Sequence, residues 1–277
     1  MNKKIFSIVG NPLSHSLSPV LHNYWFKKYN INAEYRLEQI DENQIEKILN
    51  KIRNKKIIGV NITLPYKQKC IAFLDKVVNN AKETGSVNTI YLNNKEELIG
   101  ENTDVYGLQA AYLKELSNNI VKHKKVLVLG AGGVSPSIIL ALKKSNITNV
   151  SVVNRTYEKT LFLKKKFSHI EVLKWEKYKN YLEQFDIIIN ATSLGLKNGE
   201  DHNELFQKYK KSLIYIDTIY NPIETRMLKY LKKNNIKTYN GLDMFIYQGQ
   251  KSFYLWNKIN PEIDNNLIEL LKSKIND

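Results

Sequence analysis

The sequence predicts an α/β protein made of two α/β domains. Three observations carry this reading. Strand and helix patterns alternate through the first hundred residues. A second alternating pattern begins near Lys124, where Val126-Leu-Val-Leu runs into glycines at 130, 132 and 133 and then an apolar helical stretch. An apolar run that turns sharply into a helix is the pattern of a buried parallel strand. Finally, 277 residues is long for one domain and comfortable for two.

The elements follow in order. Residues 4–10 read as a strand. Ser18-Pro19 opens a helix, with Ser as N-cap and Pro at N1, and feeds Val-Leu-His-Asn-Tyr-Trp-Phe. Residues 33–40 alternate as a strand does, 42–53 form an amphipathic helix, and 56–63 form a strand after which Pro65 opens another helix. Residues 86–92 and 97–102 pair around an Asn93-Asn94 turn. Residues 105–116 are helical. Later strands fall at 150–154, 171–173, 186–191 and 213–216, with helices between them. Pro136 lies in the first turn of the helix after the glycines, where its missing N–H is harmless. The chain is helical again over 243–257, and Pro261 permits a last helix over 262–274.

Composition narrows the class. No run approaches the ~18 apolar residues of a membrane helix. Residues 3–10 are too short and too early for a signal peptide, so a cytoplasmic protein is expected. A single cysteine, Cys70, rules out an intrachain disulfide framework and reads as a packing residue on the helix after Pro65. The five histidines (15, 22, 123, 169 and 202) lack ligand spacing, so no metal site is expected. The net charge is +15, but the lysines are spread along the chain and no zinc-finger or aromatic-basic RNA motif accompanies them. The charge therefore reads as background, with no specific nucleic-acid site.

The glycines at 130, 132 and 133 would let the backbone approach a pyrophosphate seated on the helix N-terminus. The third position of the pattern is Ser135, not Gly or Ala, so a tight strand-to-helix turn without a ligand stays open on this stretch alone. The end of the next strand adds information. An NAD site usually has Asp or Glu there to accept from the ribose 2′-hydroxyl. Here stand Asn154, Arg155 and Thr156, a cation and two short polar groups that suit a 2′-phosphate. The reading is NADP(H).

Polar clusters sit where other strands end. Ser14 and Ser16 follow the first strand, at the usual ligand edge of an open α/β sheet, though a Ser-rich turn would look the same. In Asn61-Ile-Thr-Leu-Pro-Tyr-Lys67, a helix opened by Pro65 would place Lys67 in its first turn, where the dipole opposes a cation by roughly 0.3–1 kcal/mol. Such a lysine is either solvated or held by a carboxylate for a purpose. Asn102-Thr-Asp104 ends a strand, and Asp104 is equally a good N-cap for the following helix. Ser86-Val-Asn-Thr89 and Tyr247-Gln-Gly-Gln250 complete the set.

Together these clusters resemble the shikimate dehydrogenase family, in its order and over nearly the whole chain. The resemblance rests on Gly10-Asn-Pro-Leu-Ser-His-Ser-Leu-Ser-Pro-x-x-His-Asn23, Asn61-Ile-Thr-x-Pro-x-Lys67, Ser86-Val-Asn-Thr89 and Asn102-Thr-Asp-x-x-Gly107. It continues through Gly130-Ala-Gly-Gly133, Asn154-Arg-Thr156, Asn190-Ala-Thr-Ser-x-Gly195, Asp217-x-x-Tyr220 with Pro222 and Thr225, and Tyr247-Gln-Gly249.

The resemblance implies NADPH-dependent reduction of 3-dehydroshikimate to shikimate, in aromatic amino-acid biosynthesis. By motif, Ser14 and Ser16, helped by Tyr220, would bind the substrate carboxylate. Thr63, Lys67, Asn88, Asp104 and Gln248 would bind the ring hydroxyls and the reacting carbonyl, with Lys67 and Asp104 as the catalytic pair. Gly130, Ala131, Gly132, Gly133, Val134, Asn154, Arg155, Thr156, Lys159, Thr192, Thr218 and Gly241 would hold the cofactor. The chain departs from the family at Val134-Ser-Pro-Ser137, at Lys159, where a second arginine is common, and at Thr218, where Met is frequent. Lys159 keeps a charge but loses a planar fork, which would weaken NADP preference.

The expected architecture has residues 1–104, completed by 241–277, as a substrate domain. Residues 105–240 form a Rossmann-like NADP domain, and the two flank a cleft. A monomer or homodimer is expected, with a small-molecule substrate, no membrane and no specific nucleic acid. Two rivals stand: a quinate/shikimate dehydrogenase with broader substrate use, and a basic nucleic-acid-binding protein on a Rossmann-like scaffold.

Overall fold

The computed structural model describes residues 3–114, 123–196 and 208–275. The chain divides into two compact units, residues 1–107 with 246–277, and residues 108–245.

Among the described residues, the first unit carries a six-stranded mixed sheet. Its strands are β1 (Lys4–Gly10), β2 (Ala33–Gln39), β3 (Gly59–Ile62), β4 (Lys76–Val77), β5 (Thr89–Leu92) and β6 (Leu98–Glu101), in the order β2-β1-β3-β5-β6-β4. β1 is parallel to β2 and β3, while β5 runs antiparallel to β3 and to β6. The carboxyl ends of β1, β3 and β6 and the amino end of β5 therefore lie on one edge. That edge gathers residues 11–16, 63–67, 86–88 and 102–104, which are four of the sequence clusters. Helix Ile45–Arg53 covers the sheet with Ile45, Ile48, Leu49 and Ile52, the buried stripe of its 3.6-residue period.

The second unit carries strands β7 (Val126–Leu129), β8 (Val150–Val153), β9 (Glu171–Leu173), β10 (Ile187–Asn190), β11 (Ile214–Asp217) and β12 (Lys237–Tyr239). They form one parallel sheet ordered β12-β11-β10-β7-β8-β9. Read from β9, this is the 3-2-1-4-5-6 order of a dinucleotide-binding sheet, with its switch point between β7 and β10. Val126, Leu127, Val128 and Leu129 are wholly buried, as a strand with both faces covered requires. Each such side chain contributes about 1.5–3 kcal/mol.

Several local expectations are corrected. Pro65 opens no α-helix. Lys67 lies in a turn before a 3₁₀ segment, Lys69–Phe73, and Cys70 is on that segment. The cause is tertiary: the Lys67 carbonyl accepts from the Val87 amide at 2.8 Å and so is withdrawn from any helical ladder. The helix-dipole argument for Lys67 therefore falls away. The first helix is Ser18–Lys28, with Leu17 and not Ser18 at the N-cap, and the Ser18 amide donates to Ser16 Oγ instead. Asp104 is the first residue of helix Asp104–Leu108, which passes into a π-turn over Gln109–Leu113, and residues 115–116 lie outside the described residues. Strands β4 and β12 and helix Asn79–Thr84 had no counterpart in the sequence reading.

Candidate active site

The two units each present polar residues at a sheet edge. In the first unit, Gly10 ends β1 against Thr63, where a Cβ would stand 2.3 Å from Thr63 Cγ2. Only glycine lets the two loops approach this closely. Ser14 is exposed and Ser16 is half-buried. Ser16 Oγ accepts from the Ser18 amide, which leaves its proton for another acceptor. Thr63 is half-buried and pinned through its amide to the Val9 carbonyl at 2.9 Å.

Lys67 Nζ donates to Asp104 Oδ2 at 2.6 Å. The lysine side chain is 13% exposed and the aspartate 8%, so water screens this pair far less than the surface pairs of the chain. Asp104 is free for this because another residue caps its helix: Asn102 Oδ1 accepts from the Val105 amide at 3.3 Å. The other carboxylate oxygen, Asp104 Oδ1, accepts from Asn88 Nδ2 at 2.8 Å. Asn88 also donates to Gln248 Oε1, at 3.4 Å, from helix Leu242–Asn257. Four of the predicted residues of this unit, Lys67, Asp104, Asn88 and Gln248, are thus joined by hydrogen bonds, while Ser14, Ser16 and Thr63 lie on loops of the same sheet edge without a bond to them. The result is a buried carboxylate holding an ammonium at a sheet edge beside hydroxyl and amide groups. It can bind a polyhydroxylated molecule and stabilise charge on an oxygen.

In the second unit, Gly130 follows β7 with φ +108°, a backbone that side-chain-bearing residues rarely adopt, and a Cβ there would stand 2.8 Å from the Ala191 carbonyl oxygen and 2.9 Å from Thr192 Cγ2. This places the glycine turn and Thr192 together at the switch point. The Ala131 amide donates to Asn154 Oδ1 at 3.2 Å, and Asn154 Nδ2 donates to the Thr156 carbonyl at 2.9 Å. Space is open where a Gly132 Cβ would lie, and helix Ser135–Lys144 starts with no side-chain cap and no acidic residue in its first turn. An uncapped N-terminus behind an open glycine loop fits a phosphate group. Arg155, Thr156 and Lys159 are exposed beside it, which fits a further phosphate. Gly241 packs its α-carbon against the Thr218 carbonyl, where a Cβ would stand 2.3 Å from the oxygen. Tyr220 stacks on Phe245 with centroids 4.6 Å apart.

The chain matches the model of the shikimate dehydrogenase substrate binding domain over residues 8–90 and that of shikimate / quinate 5-dehydrogenase over residues 113–240. The chain belongs to the shikimate dehydrogenase family. A relative from Pelagibacter ubique (strain HTCC1062), named shikimate dehydrogenase (NADP(+)), is 49% identical over 269 residues, covering 97% of this chain and 99% of its own. The crystal structure of shikimate dehydrogenase from Aquifex aeolicus superposes with a TM-score of 0.86 at 34% identity, covering 100% of both chains. A Thermus thermophilus shikimate 5-dehydrogenase solved with NADP(H) and shikimate gives 0.83 at 29% identity, covering 99% of this chain and 98% of its own. Among the described residues, no helix is long and apolar enough to cross a membrane.

Several buried members of these motifs, and Ser252 outside them, have structural partners that their sequence pattern does not assign. In the second unit, Asp217 is wholly buried, and burial pushes its carboxyl up to about 6. Against that, it accepts from the Ile219 amide at 3.0 Å, Thr225 Oγ1 at 3.0 Å and Asn190 Nδ2 at 3.1 Å. These bonds fix the loop that carries Thr218 and Tyr220. In the first unit, Asn61, Thr89, Thr103 and Ser252 form a buried cluster beneath Asn88. Ser252 lies four residues after Gln248 on one helix, and that spacing was the available signal. Burial pushes the Cys70 thiol up to about 12, in keeping with a packing role.

Proposed function

We propose that this chain catalyses the reversible NADP(H)-dependent interconversion of 3-dehydroshikimate and shikimate. The observation that carries the reading is the desolvated Lys67–Asp104 pair, at a sheet edge shared with Ser14, Ser16, Thr63 and Asn88. NADPH, when bound, supplies the hydride. Residues 130–134 would hold its pyrophosphate, Asn154, Arg155, Thr156 and Lys159 its adenosine ribose phosphate, and Thr192, Thr218 and Gly241 the rest of the cofactor.

The remaining work falls to this chain's own side chains. Ser14 and Ser16 donate to the substrate carboxylate, and Tyr220 is a further contact to it on its motif alone. Thr63, Asn88 and Gln248 orient the ring hydroxyls. As negative charge grows on the carbonyl oxygen, the Lys67 ammonium stabilises it and gives up a proton. Asp104 holds Lys67 at that oxygen and balances its charge. General-acid assistance of this kind is worth roughly 10²–10⁴-fold.

Residues 1–104 with 241–277 serve as the substrate domain and 105–240 as the cofactor domain in this reading. Every assigned residue comes from one chain, so it holds for a monomer or a homodimer. A cytoplasmic location and an incidental positive charge belong to the same proposal. The lysines spread along the whole chain support the second. The description of the second matched model includes quinate, so the test is comparative. Shikimate and quinate are each offered with NADP⁺ and with NAD⁺, and reduced nicotinamide is followed by absorbance. Turnover greatest with shikimate and NADP⁺ supports the reading, and turnover with none of the four pairs refutes it.

A further inference from the structure

The Lys67–Asp104 pair stands at the end of a line of buried polar groups that begins on β2. Tyr35 donates from its hydroxyl to Asn61 Oδ1 at 2.7 Å. Asn61 Nδ2 shares its two protons among three acceptors, the Asn88 carbonyl at 3.0 Å, Thr89 Oγ1 at 3.1 Å and Ser252 Oγ at 3.0 Å. Thr89 Oγ1 donates to Asn88 Oδ1 at 3.1 Å. Asn88 Nδ2 donates to Asp104 Oδ1 at 2.8 Å. All four residues before Asp104 are buried, the most exposed being Asn61 at 5%.

Chemistry fixes the orientation of both amides in this line. The Asn88 carbonyl can only accept, so the Asn61 amide must turn its nitrogen there and its oxygen to Tyr35. The Thr103 amide donates to Asn88 Oδ1 at 2.8 Å and the Asp104 carboxylate can only accept, so the Asn88 side chain has one allowed orientation. Thr89 receives from Asn61, and its one proton is shared between Asn88 Oδ1 at 3.1 Å and Ser252 Oγ at 2.8 Å. Both amide side chains of the line thus donate toward Asp104, and bonds aligned in this way polarise one another. Ser252 ties helix Leu242–Asn257 to the same line, accepting from Asn61 and donating to the Gln248 carbonyl at 3.1 Å.

We propose that Tyr35 is a positioning residue for the reaction: acting through Asn61, Thr89 and Asn88, its hydroxyl fixes the Asp104 carboxylate that holds Lys67. The inference rests on the reading of Lys67 and Asp104 as the catalytic pair. Tyr35→Phe removes one oxygen and keeps the ring, which stacks on His22 with centroids 4.4 Å apart. It leaves Asn61 Oδ1 without its donor in the interior, and it also takes from the buried Ser18 side chain the hydroxyl it bonds to.

The test measures kcat and both KM values for shikimate oxidation with NADP⁺, in variants whose folding is checked by circular dichroism. Tyr35→Phe is expected to lower kcat ~5-fold, the net worth of one hydrogen bond, with KM for NADP⁺ unchanged. The loss is expected to vanish when Asp104→Asn is already present, because the line then has no carboxylate to position. Thr89→Val is expected to match the loss and Thr89→Ser to restore kcat, a pair that decides the matter even if Tyr35→Phe folds poorly. Full kcat in Tyr35→Phe, or an equal loss in the Asp104→Asn background, overturns the proposal. Failure of the underlying reading looks different: the unmutated protein would not oxidise shikimate, or Lys67→Ala would keep full kcat.

Discussion

His22→Phe should make the first unit resistant to mild acid. The imidazole is wholly buried, stacked at 8° on Tyr35 and set edge-on to Trp25 at 5.7 Å. Neither ring nitrogen has a hydrogen-bond partner among the described residues. Burial pushes its pKa down to about 3 from the usual 6.5. The folded value is depressed, so below 6.5 the unfolded chain takes up a proton that the folded chain refuses. Stability is lost as pH falls through the unfolded value. At about pH 5 the loss is about 2 kcal/mol, and at about pH 7.5 it is close to zero. Phenylalanine keeps the stacked face, gives up no hydrogen bond and removes the titration. The assay is thermal unfolding followed by tryptophan fluorescence, which Trp25 and Trp256 report from beside the ring. The Tm advantage of the variant should grow by roughly 4–8 °C between about pH 7.5 and about pH 5. Parallel Tm-against-pH curves for the two proteins would refute the reasoning.

Asp217 should act in the opposite sense in the second unit. Its folded pKa of about 6 lies above the ordinary 3.8, so its contribution is fully present below 3.8 and is lost as pH rises through 6. Relative to Asp217→Asn, the unmutated protein should gain about 2–3 kcal/mol of unfolding free energy between about pH 7 and about pH 4, read by denaturant titration. Arg155→Asp should raise the Kd for NADPH by ~10–100-fold and change that for NADH far less, read by fluorescence titration; equal effects would misplace the 2′-phosphate. Ser14→Ala and Ser16→Ala should each raise KM for shikimate ~10-fold and leave KM for NADP⁺ unchanged, since a carboxylate held equally throughout the reaction gives uniform binding. An unchanged KM for shikimate in either variant would put the carboxylate elsewhere.

The second unit was the more legible in the sequence. β7, β8, β10 and β11 are buried on both faces, so each is written as an apolar run with clear ends. β4, two residues long, and β12, three, are set by the neighbour each pairs with and leave no pattern of their own. The Lys67 turn was misread as a helix because the Val87 amide that captures its carbonyl lies twenty residues away. The sequence leaves Asp104 open between an N-cap and a functional carboxylate, because Asn and Asp are equally good caps; in the structure Asn102 accepts from the Val105 amide instead. The site motifs could be quoted in order, but the buried line from Tyr35 to Asp104 spans β2, β3 and β5, and only the assembled sheet brings it together.

The most direct measurement is kcat for shikimate oxidation by NADP⁺ in the unmutated protein, Lys67→Ala, Asp104→Asn and the double variant, at one pH and with folding confirmed for each. Lys67→Ala should cost on the order of 10²-fold or more, because it removes the cation where charge develops. Asp104→Asn should also be severe, and the double variant little worse than the poorer single, as for residues that act as one unit. KM for NADP⁺ should hold throughout. Near-normal kcat in Lys67→Ala, or fully multiplicative losses in the double variant, would contradict the assignment of this pair to the chemistry.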